Sequence, residues 1–287
     1  MIAMKVPFTK LSGSGNDFIL IDHRRPFLPE ATLSHWVAKI CAHRLSVGAD
    51  GVILIEPPGP SASGGKADFR WRLFNADGSP AEMSGNGGRC AARFACLKGI
   101  AKAAMVFETP AGLIQAEVVG DQVKIRFTDP TDFRWRLPVE IDGTRREGHF
   151  VNTGVPHLVY LVDDVETVDL PALGRKSRFH PLFQPAGANV NFIQRLDPHR
   201  LKIRTYERGV EDETLACGTG SVASALVAAT VASAESPVTL LPKGGQPLTV
   251  TFTKEGTQEG QRFRDIYLAG DARIVYEGEM NEEAWKY

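Results

Sequence analysis

Cysteine is scarce in this chain: Cys41, Cys90, Cys96 and Cys217 are the four in 287 residues. They show no Cys-x-x-Cys spacing and no nearby histidine cluster, which argues against a disulfide framework and a structural zinc site; no metal is expected. An excess of one charge is also lacking. Lys and Arg total 33 against 34 Asp and Glu, a net charge of −1, so neither nucleic acid nor an anionic membrane is expected as a partner. No stretch approaches the roughly 20 apolar residues that span a bilayer, and Met1–Pro7 lacks the apolar run of a secretory signal. A cytoplasmic location is expected. No Walker or dinucleotide fingerprint occurs, which argues against a nucleotide-binding protein. No low-complexity linker marks a domain boundary either.

What is present is an ordinary globular composition, 43% hydrophobic and 23% charged, in a chain long enough for two domains. The organising feature is an internal repeat. Phe74-Asn75-Ala76-Asp77-Gly78-Ser79 leads to Ser84-Gly85-Asn86-Gly87, and Tyr206-Glu207-Arg208-Gly209 leads through Glu213-Thr214 to Cys217-Gly218-Thr219-Gly220. Each runs from a strand-like segment through a polar turn to a small nucleophile-type residue, then Gly-x-Gly, then helix formers. Aligning Ser84 with Cys217 sets an offset of 133 that brings Asn75 onto Arg208. The repeat places a boundary near Gly120, giving a first domain of residues 1–119 plus 272–287 and a second of 120–271.

Between the loops the pattern alternates short strands with few helices. Val6–Leu11 and Phe18–Ile21 read as strands joined by Ser12-Gly13-Ser14-Gly15-Asn16-Asp17, either a turn needing positive φ or one that touches a ligand. Leu33, Trp36, Val37, Ile40 and Cys41 follow helical spacing, with Thr32 or Ser34 as cap. His35 and His43 are expected at the surface. Gly51–Glu56 and Phe69–Phe74 are strands around an exposed loop, Pro57–Lys66. A helix after Ser84 ends near Gly99 and holds Cys90 and Cys96 as packed thiols. Gly120-Asp121 turns a hairpin. His149–Tyr160 is strand, turn and strand, and a short helix is expected within Val162–Gly174. Asn189–Ile193 and Leu201–Tyr206 are strands. Ser221–Ala234 is apolar or small on every face, a buried helix. Closing strands fall in Thr239–Phe252 and Arg264–Val275, and the tail from Glu277 is peripheral or paired with the first half.

Cys217 sits where a helix N-terminus lowers a thiol pKa from its usual value near 8.5. The bare amides after it suit a substrate carboxylate, and Arg208 suits a second one by bidentate pairing. Two such loops, aimed at opposite faces of a small ligand, supply the two positioned groups that remove a proton from one face of a carbon and return one to the other.

Gly13-x-Gly15-Asn16-Asp17-Phe18, Gly48-Ala49-Asp50-Gly51, Phe74–Ser79, Ser84-Gly85-Asn86-Gly87-Gly88-Arg89-Cys90, Pro156-His157, Asn189-Val190-Asn191-Phe192 and Tyr206 through Gly220 together resemble diaminopimelate epimerase over nearly the whole chain. The resemblance implies an α/β (α+β) fold of two pseudo-symmetric domains. Each is a mixed or antiparallel sheet wrapped around a central helix, with the active site in the cleft between them. It further implies a homodimeric amino-acid epimerase, an isomerase that needs neither pyridoxal phosphate nor metal. Its substrate is a small molecule, LL-diaminopimelate, converted to meso-diaminopimelate for lysine and peptidoglycan synthesis. Carried over by motif, Cys217 is one catalytic acid/base, and His157 and Glu207 tune protonation. Asn16, Asn75, Gly85, Asn86, Asn189, Glu207, Arg208, Gly218 and Thr219 contact substrate.

Two positions depart from the family pattern. Val155 stands where it has Asn before Pro-His, and Ser84 stands where it has the other catalytic Cys. A hydroxyl is a far weaker acid than a thiol, so impaired epimerisation is expected. The alternatives are a proline- or hydroxyproline-type racemase, epimerase or dehydratase, and a catalytically silent diaminopimelate-binding paralogue.

Overall fold

The computed structural model describes residues 4–59, 67–256 and 261–287. The sequence-expected loop Pro57–Lys66 falls largely on 60–66, outside the described residues, as do the first three residues of the N-terminal stretch. The chain divides into two compact units, one ending at Ile125 and completed by Asp271–Tyr287, the other Arg126–Gly270.

In the first unit the elements are β1 (Val6–Gly13), β2 (Asn16–Asp22), α1 (Glu30–Cys41), β3 (Gly51–Glu56), β4 (Phe69–Asn75), β5 (Pro80–Ala81), α2 (Gly85–Leu97), β6 (Ala104–Thr109), β7 (Gly112–Val119) and β8 (Gln122–Arg126). In the second they are β9 (Thr131–Ile141), β10 (Thr144–Asn152), β11 (Pro156–Leu161), α3 (Leu170–Arg178), β12 (Asn189–Asp197), β13 (Arg200–Glu207), β14 (Asp212–Thr214), α4 (Gly218–Val231), β15 (Val238–Pro242), β16 (Leu248–Glu255) and β17 (Arg262–Asp271). The chain returns to the first unit with β18 (Arg273–Met280).

The strand orders are β18-β1-β2-β3-β4-β6-β7-β8 and β9-β10-β11-β12-β13-β15-β16-β17. Both read antiparallel throughout except at the third and fifth pairings, which are parallel. A parallel neighbour needs a crossover, and the helices supply it: α1 and α3 cross at the third pairing, α2 and α4 at the fifth. The two units are therefore the same fold, with one permutation. β18, last in the chain, occupies the edge that β9 opens in the second unit.

Side-chain alternation explains the layers. Ile19, Ile21, Val52, Leu54 and Phe74 face α1, packing on Leu33, Trp36, Val37 and Ile40. The opposite face receives α2, which touches β1, β2, β3 and β7 and is buried along most of its length. In the second unit Leu158, Tyr160, Val190, Phe192 and Tyr206 form the α3-side core, and α4 lies on the other face against β10, β11, β12, β13, β15 and β16. Each sheet thus curls around an inner helix. Small residues permit this: a Cβ at Gly87 on α2 would meet Ser84 and Ile53 within 3.3 Å, and one at Gly220 on α4 would meet Asn191 Oδ1 at 2.4 Å.

Several boundaries differ from expectation for local reasons. α1 begins at Glu30 with Pro29 as its N-cap and no side-chain cap bond; the Thr32 hydroxyl donates instead to the Pro29 carbonyl, 2.8 Å away. The helix expected within Val162–Gly174 starts only at Leu170, because the Asp169 side chain caps it by accepting the Ala172 N–H. β6 and β9 were not signalled by the sequence. β9 contains Pro138 opposite Glu147, a residue that tolerates only an edge or bulge position in a sheet.

Candidate active site

The repeated loops have matching cap geometry. Ser84 is the extended N-cap of α2, and its Oγ accepts the Gly87 N–H at 3.1 Å. Cys217 is the extended N-cap of α4, and its Sγ accepts the Gly220 N–H at 3.4 Å. The Thr219 hydroxyl also lies 3.4 Å from that sulfur. A side-chain cap satisfies one of the amides that a helix start leaves unpaired, and in both units the capping atom is the proposed reactive one.

The strand register corrects one part of the repeat alignment. Leu73 pairs with Ala81 and Thr205 with Thr214, and each of those partners lies three residues before its cap. Asn75, two residues after Leu73, therefore stands where Glu207 stands, two after Thr205. The turn that follows is one residue longer in the second unit, and Arg208 is the first residue of that longer turn.

In the first unit Asn16, Asn75, Ser84, Gly85 and Asn86 gather at one end of the sheet. Phe18 pairs with Gly51 and Gly51 with Asn75, while a Cβ at Gly87 would lie 3.4 Å from Phe18 and 3.3 Å from Ile53. The Asn16 amide donates to Asp50 Oδ2 at 2.6 Å. The Asp17 N–H donates to Asp50 Oδ2 at 3.1 Å and the Asp50 N–H to Asp17 Oδ1 at 2.9 Å, and buried Lys10 pairs with Asp17 at 2.7 Å. The Asn75 amide donates to Ser79 Oγ at 3.0 Å, across a turn whose Gly78 has φ 83° and no room for a Cβ against Ser34. Behind Gly85 and Asn86 lies a buried guanidinium. Arg89 donates to Gly85 O at 3.3 Å, Asn86 Oδ1 at 3.0 Å, Ser14 Oγ at 2.8 Å and Asp271 O at 3.2 Å.

In the second unit His157, Asn189, Glu207, Arg208, Cys217, Gly218 and Thr219 gather at the equivalent end. His157 pairs with Asn189 along β11 and β12, and Val190 with Tyr206 puts Asn189 beside Glu207. Asn189 Oδ1 accepts the Arg208 backbone N–H at 2.7 Å, and Arg208 Nη1 donates to Ala186 O at 3.2 Å. The turn before β11 is tied to the α4 start, the Thr153 hydroxyl donating to Thr219 O at 3.1 Å. Val155 contributes its carbonyl, which accepts the Thr153 N–H at 3.2 Å.

Electrostatics overturn one expectation. The helix start does not lower the Cys217 pKa; burial pushes the thiol up to about 12, and the neighbouring Glu207 adds to the rise. The Gly220 amide and the Thr219 hydroxyl pull the other way but act on a residue only 7% exposed. Burial likewise holds Glu207 above the ordinary carboxylate range. His157 is driven down to about 3, by burial first and by Arg208 second, so it is neutral at physiological pH. Cys90 is fully buried, its thiol pushed up to about 12, the state of a packed side chain. Among the described residues no three His, Cys, Asp or Glu side chains cluster as metal ligands.

Arg89, Asn191, Thr205 and Asp271 support the candidate residues from behind, and no spacing in the sequence marks Arg89, Thr205 or Asp271 for that place. Asn191 carries a signal, a second asparagine at alternate spacing in Asn189–Ile193, whose other residues are apolar, since a buried amide implies partners.

The model of the family described as diaminopimelate epimerase matches residues 8–131 and 149–275. The diaminopimelate epimerase of Aquifex aeolicus is 45% identical over 98% of this chain and 99% of its own; that of a Hydrogenobaculum species is 43% identical over 96% and 98%. Among solved structures, a probable proline racemase from Agrobacterium radiobacter shares the fold with a TM-score of 0.70 at 15% identity, over 96% of this chain and 93% of that one. A PhzF-family phenazine biosynthesis protein from Bacillus anthracis does so with a TM-score of 0.70 at 18% identity, over 96% and 99%.

Proposed function

The chain belongs to the diaminopimelate epimerase family, and we propose that it interconverts LL- and meso-diaminopimelate by proton transfer at one α-carbon. The observation that carries this reading is the twofold cap: a thiol and a hydroxyl, each holding the third amide of its helix in the same geometry. A two-base epimerisation needs one such group for each face of the carbon. No cofactor is required, because the paired acid and base deliver and collect the proton themselves.

Cys217 is the intact acid/base. As a neutral thiol at physiological pH it starts as the donor, and the matching abstraction calls for Ser84 as the alkoxide, a form scarcely populated near neutral pH. A serine hydroxyl is a poor base, so turnover by the chain as it stands is slow. Glu207 and His157 set the charge around Cys217. Asn16, Asn75, Asn189 and Arg208 recognise the amino and carboxylate groups of the substrate. The amides of Gly85-Asn86 and Gly218-Thr219 receive the carboxylate at the reacting centre. The two compact units are the two catalytic domains. The protein works as a homodimer in the cytoplasm, at a step of lysine and cell-wall precursor synthesis.

The test pairs calorimetry with LL- and meso-diaminopimelate against deuterium incorporation at the substrate α-carbon. Binding with slow incorporation that accelerates in Ser84→Cys is the expected result. Binding without incorporation in either form would mark a silent diaminopimelate-binding protein and defeat the reading.

A further inference from the structure

Thr205, Asn191 and His157 form a buried polar line on the α4 side of the second sheet. Asn191 is 0% exposed, as is His157. The Asn191 Nδ2 group donates to Leu158 O at 3.2 Å and faces His157 Nδ1 at 3.1 Å, while its Oδ1 accepts the Thr205 hydroxyl at 3.0 Å. The amide has one workable orientation. Turned over, its oxygen would confront the Leu158 carbonyl, two acceptors with no proton between them. With nitrogen on that side, His157 Nδ1 must accept, so the imidazole is neutral and its single proton sits on Nε2. That nitrogen is buried and has no hydrogen-bond partner among the described residues.

The fold does not require this polarity. At the register-equivalent positions of the first unit, Phe18 stands for His157, Ile53 for Asn191 and Leu73 for Thr205. Ile53 and Phe18 lie under Gly87 as Asn191 lies under Gly220. Burying three polar side chains where apolar ones serve costs stability unless each is paired, and one proton of the set stays unpaired. The line also reaches the thiol. Asn191 Oδ1 would be 2.4 Å from a Cβ at Gly220, the residue whose N–H caps Cys217.

We propose that Asn191, braced by Thr205, is a positioning residue for proton transfer: it locks His157 as the Nε2–H tautomer and supports the turn that carries Cys217. His157 then offers a proton and never a lone pair at its unpartnered nitrogen, which fixes the direction in which it biases the site. The inference rests on the epimerase reading.

The experiment uses ¹⁵N-histidine-labelled full-length protein, with the His157 signals assigned by their loss in His157→Gln. In the parent, Nδ1 is expected as the unprotonated nitrogen and Nε2 as the protonated one. Asn191→Asp is nearly isosteric but presents an acceptor, so the proton moves to Nδ1. Deuterium incorporation in the Ser84→Cys background should then fall by about a hundredfold in kcat, with KM held within about threefold. Thr205→Val frees the amide without touching the imidazole and should cost about three- to tenfold; it keeps the test open if Asn191→Asp does not fold. A parent protonated at Nδ1, or unchanged kcat once the tautomer has switched, overturns the proposal. Absence of incorporation in every form, Ser84→Cys included, defeats the epimerase reading and the positioning role with it, whereas the nitrogen signals judge the tautomer independently.

Discussion

Gly220 approaches Asn191 so closely that a β-carbon on residue 220 would fall 2.4 Å from Asn191 Oδ1. The equivalent Gly87 faces softer neighbours, the Ser84 Cβ at 3.2 Å, Ile53 at 3.3 Å and Phe18 at 3.4 Å. Alanine at position 220 must displace a buried amide that holds both Thr205 and His157, whereas alanine at 87 asks side chains to yield by tenths of an ångström. Gly220→Ala is expected to destabilise by about 1–3 kcal/mol and to abolish most proton exchange. Gly87→Ala is expected to stay within about 1 kcal/mol of the parent, since helix propensity offsets part of the crowding. Chemical denaturation of the two variants reads the difference; equal losses would remove the special role of Asn191.

Ser84→Cys restores an ionisable group at the α2 cap. The hydroxyl accepts the Gly87 N–H at 3.1 Å, and sulfur in the same place meets the longer distance already seen at Cys217, 3.4 Å. Turnover should rise at least tenfold, equivalent to about 1.4 kcal/mol off the barrier. Steady-state epimerisation and α-carbon deuterium incorporation should rise together. Equal rates in the two forms would show that position 84 carries no proton.

The cap positions, the inner helices and the strand ends that carry the candidate residues were legible because each rests on local chemistry. Gly-x-Gly after a small side chain opens a helix where helix formers follow it, as after Ser84 and Cys217, whereas after Ser12 it turns between two strands; the uniformly small, apolar run from Ser221 marks a buried helix. The Asn75–Arg208 equivalence failed because a one-residue difference in turn length is invisible to an alignment anchored downstream. The pKa of Cys217 was misjudged in sign because desolvation depends on what packs over the sulfur, and no spacing rule reports that. Arg89 and Asp271 lie 182 residues apart, and only the return of β18 to the first unit joins them.

Arg89 predicts a cost that the sequence hides. Its guanidinium is 0% exposed, with burial holding its pKa below the usual value. It serves Gly85 O, Asn86 Oδ1, Ser14 Oγ and Asp271 O, while Asp271 Oδ1 accepts the Ser14 N–H and hydroxyl at 3.0 and 3.1 Å. Removing one member strands the others without water. Arg89→Met should destabilise by about 3–5 kcal/mol and weaken substrate binding through the displaced Gly85-Asn86 amides. Denaturant titration and calorimetry check both, and a loss below about 1 kcal/mol would mean that the network repacks.

The buried titratable groups set opposite limits on the pH range of stability. Cys41, Cys90 and Cys217 are each pushed from 9.0 up to about 12, burial being the leading cause. A raised pKa means that the folded state holds the proton more tightly, so this stability is complete below pH 9 and drains away as pH climbs towards 12. His157 is driven from 6.5 down to about 3, so its contribution is complete above 6.5 and is lost as pH falls towards 3. The three thiols and His157 together leave the range between 6.5 and 9 flat. Each thiol should steepen the alkaline limb by about 1.4 kcal/mol per pH unit, and Cys217→Ser should flatten it by one such share. Glu207 raises the same thiol, so Glu207→Gln should bring the Cys217 titration, followed by ultraviolet thiolate absorbance, to lower pH. Alkaline limbs that run parallel in the parent and in Cys217→Ser would show that the sulfur is more solvated than its 7% exposure implies.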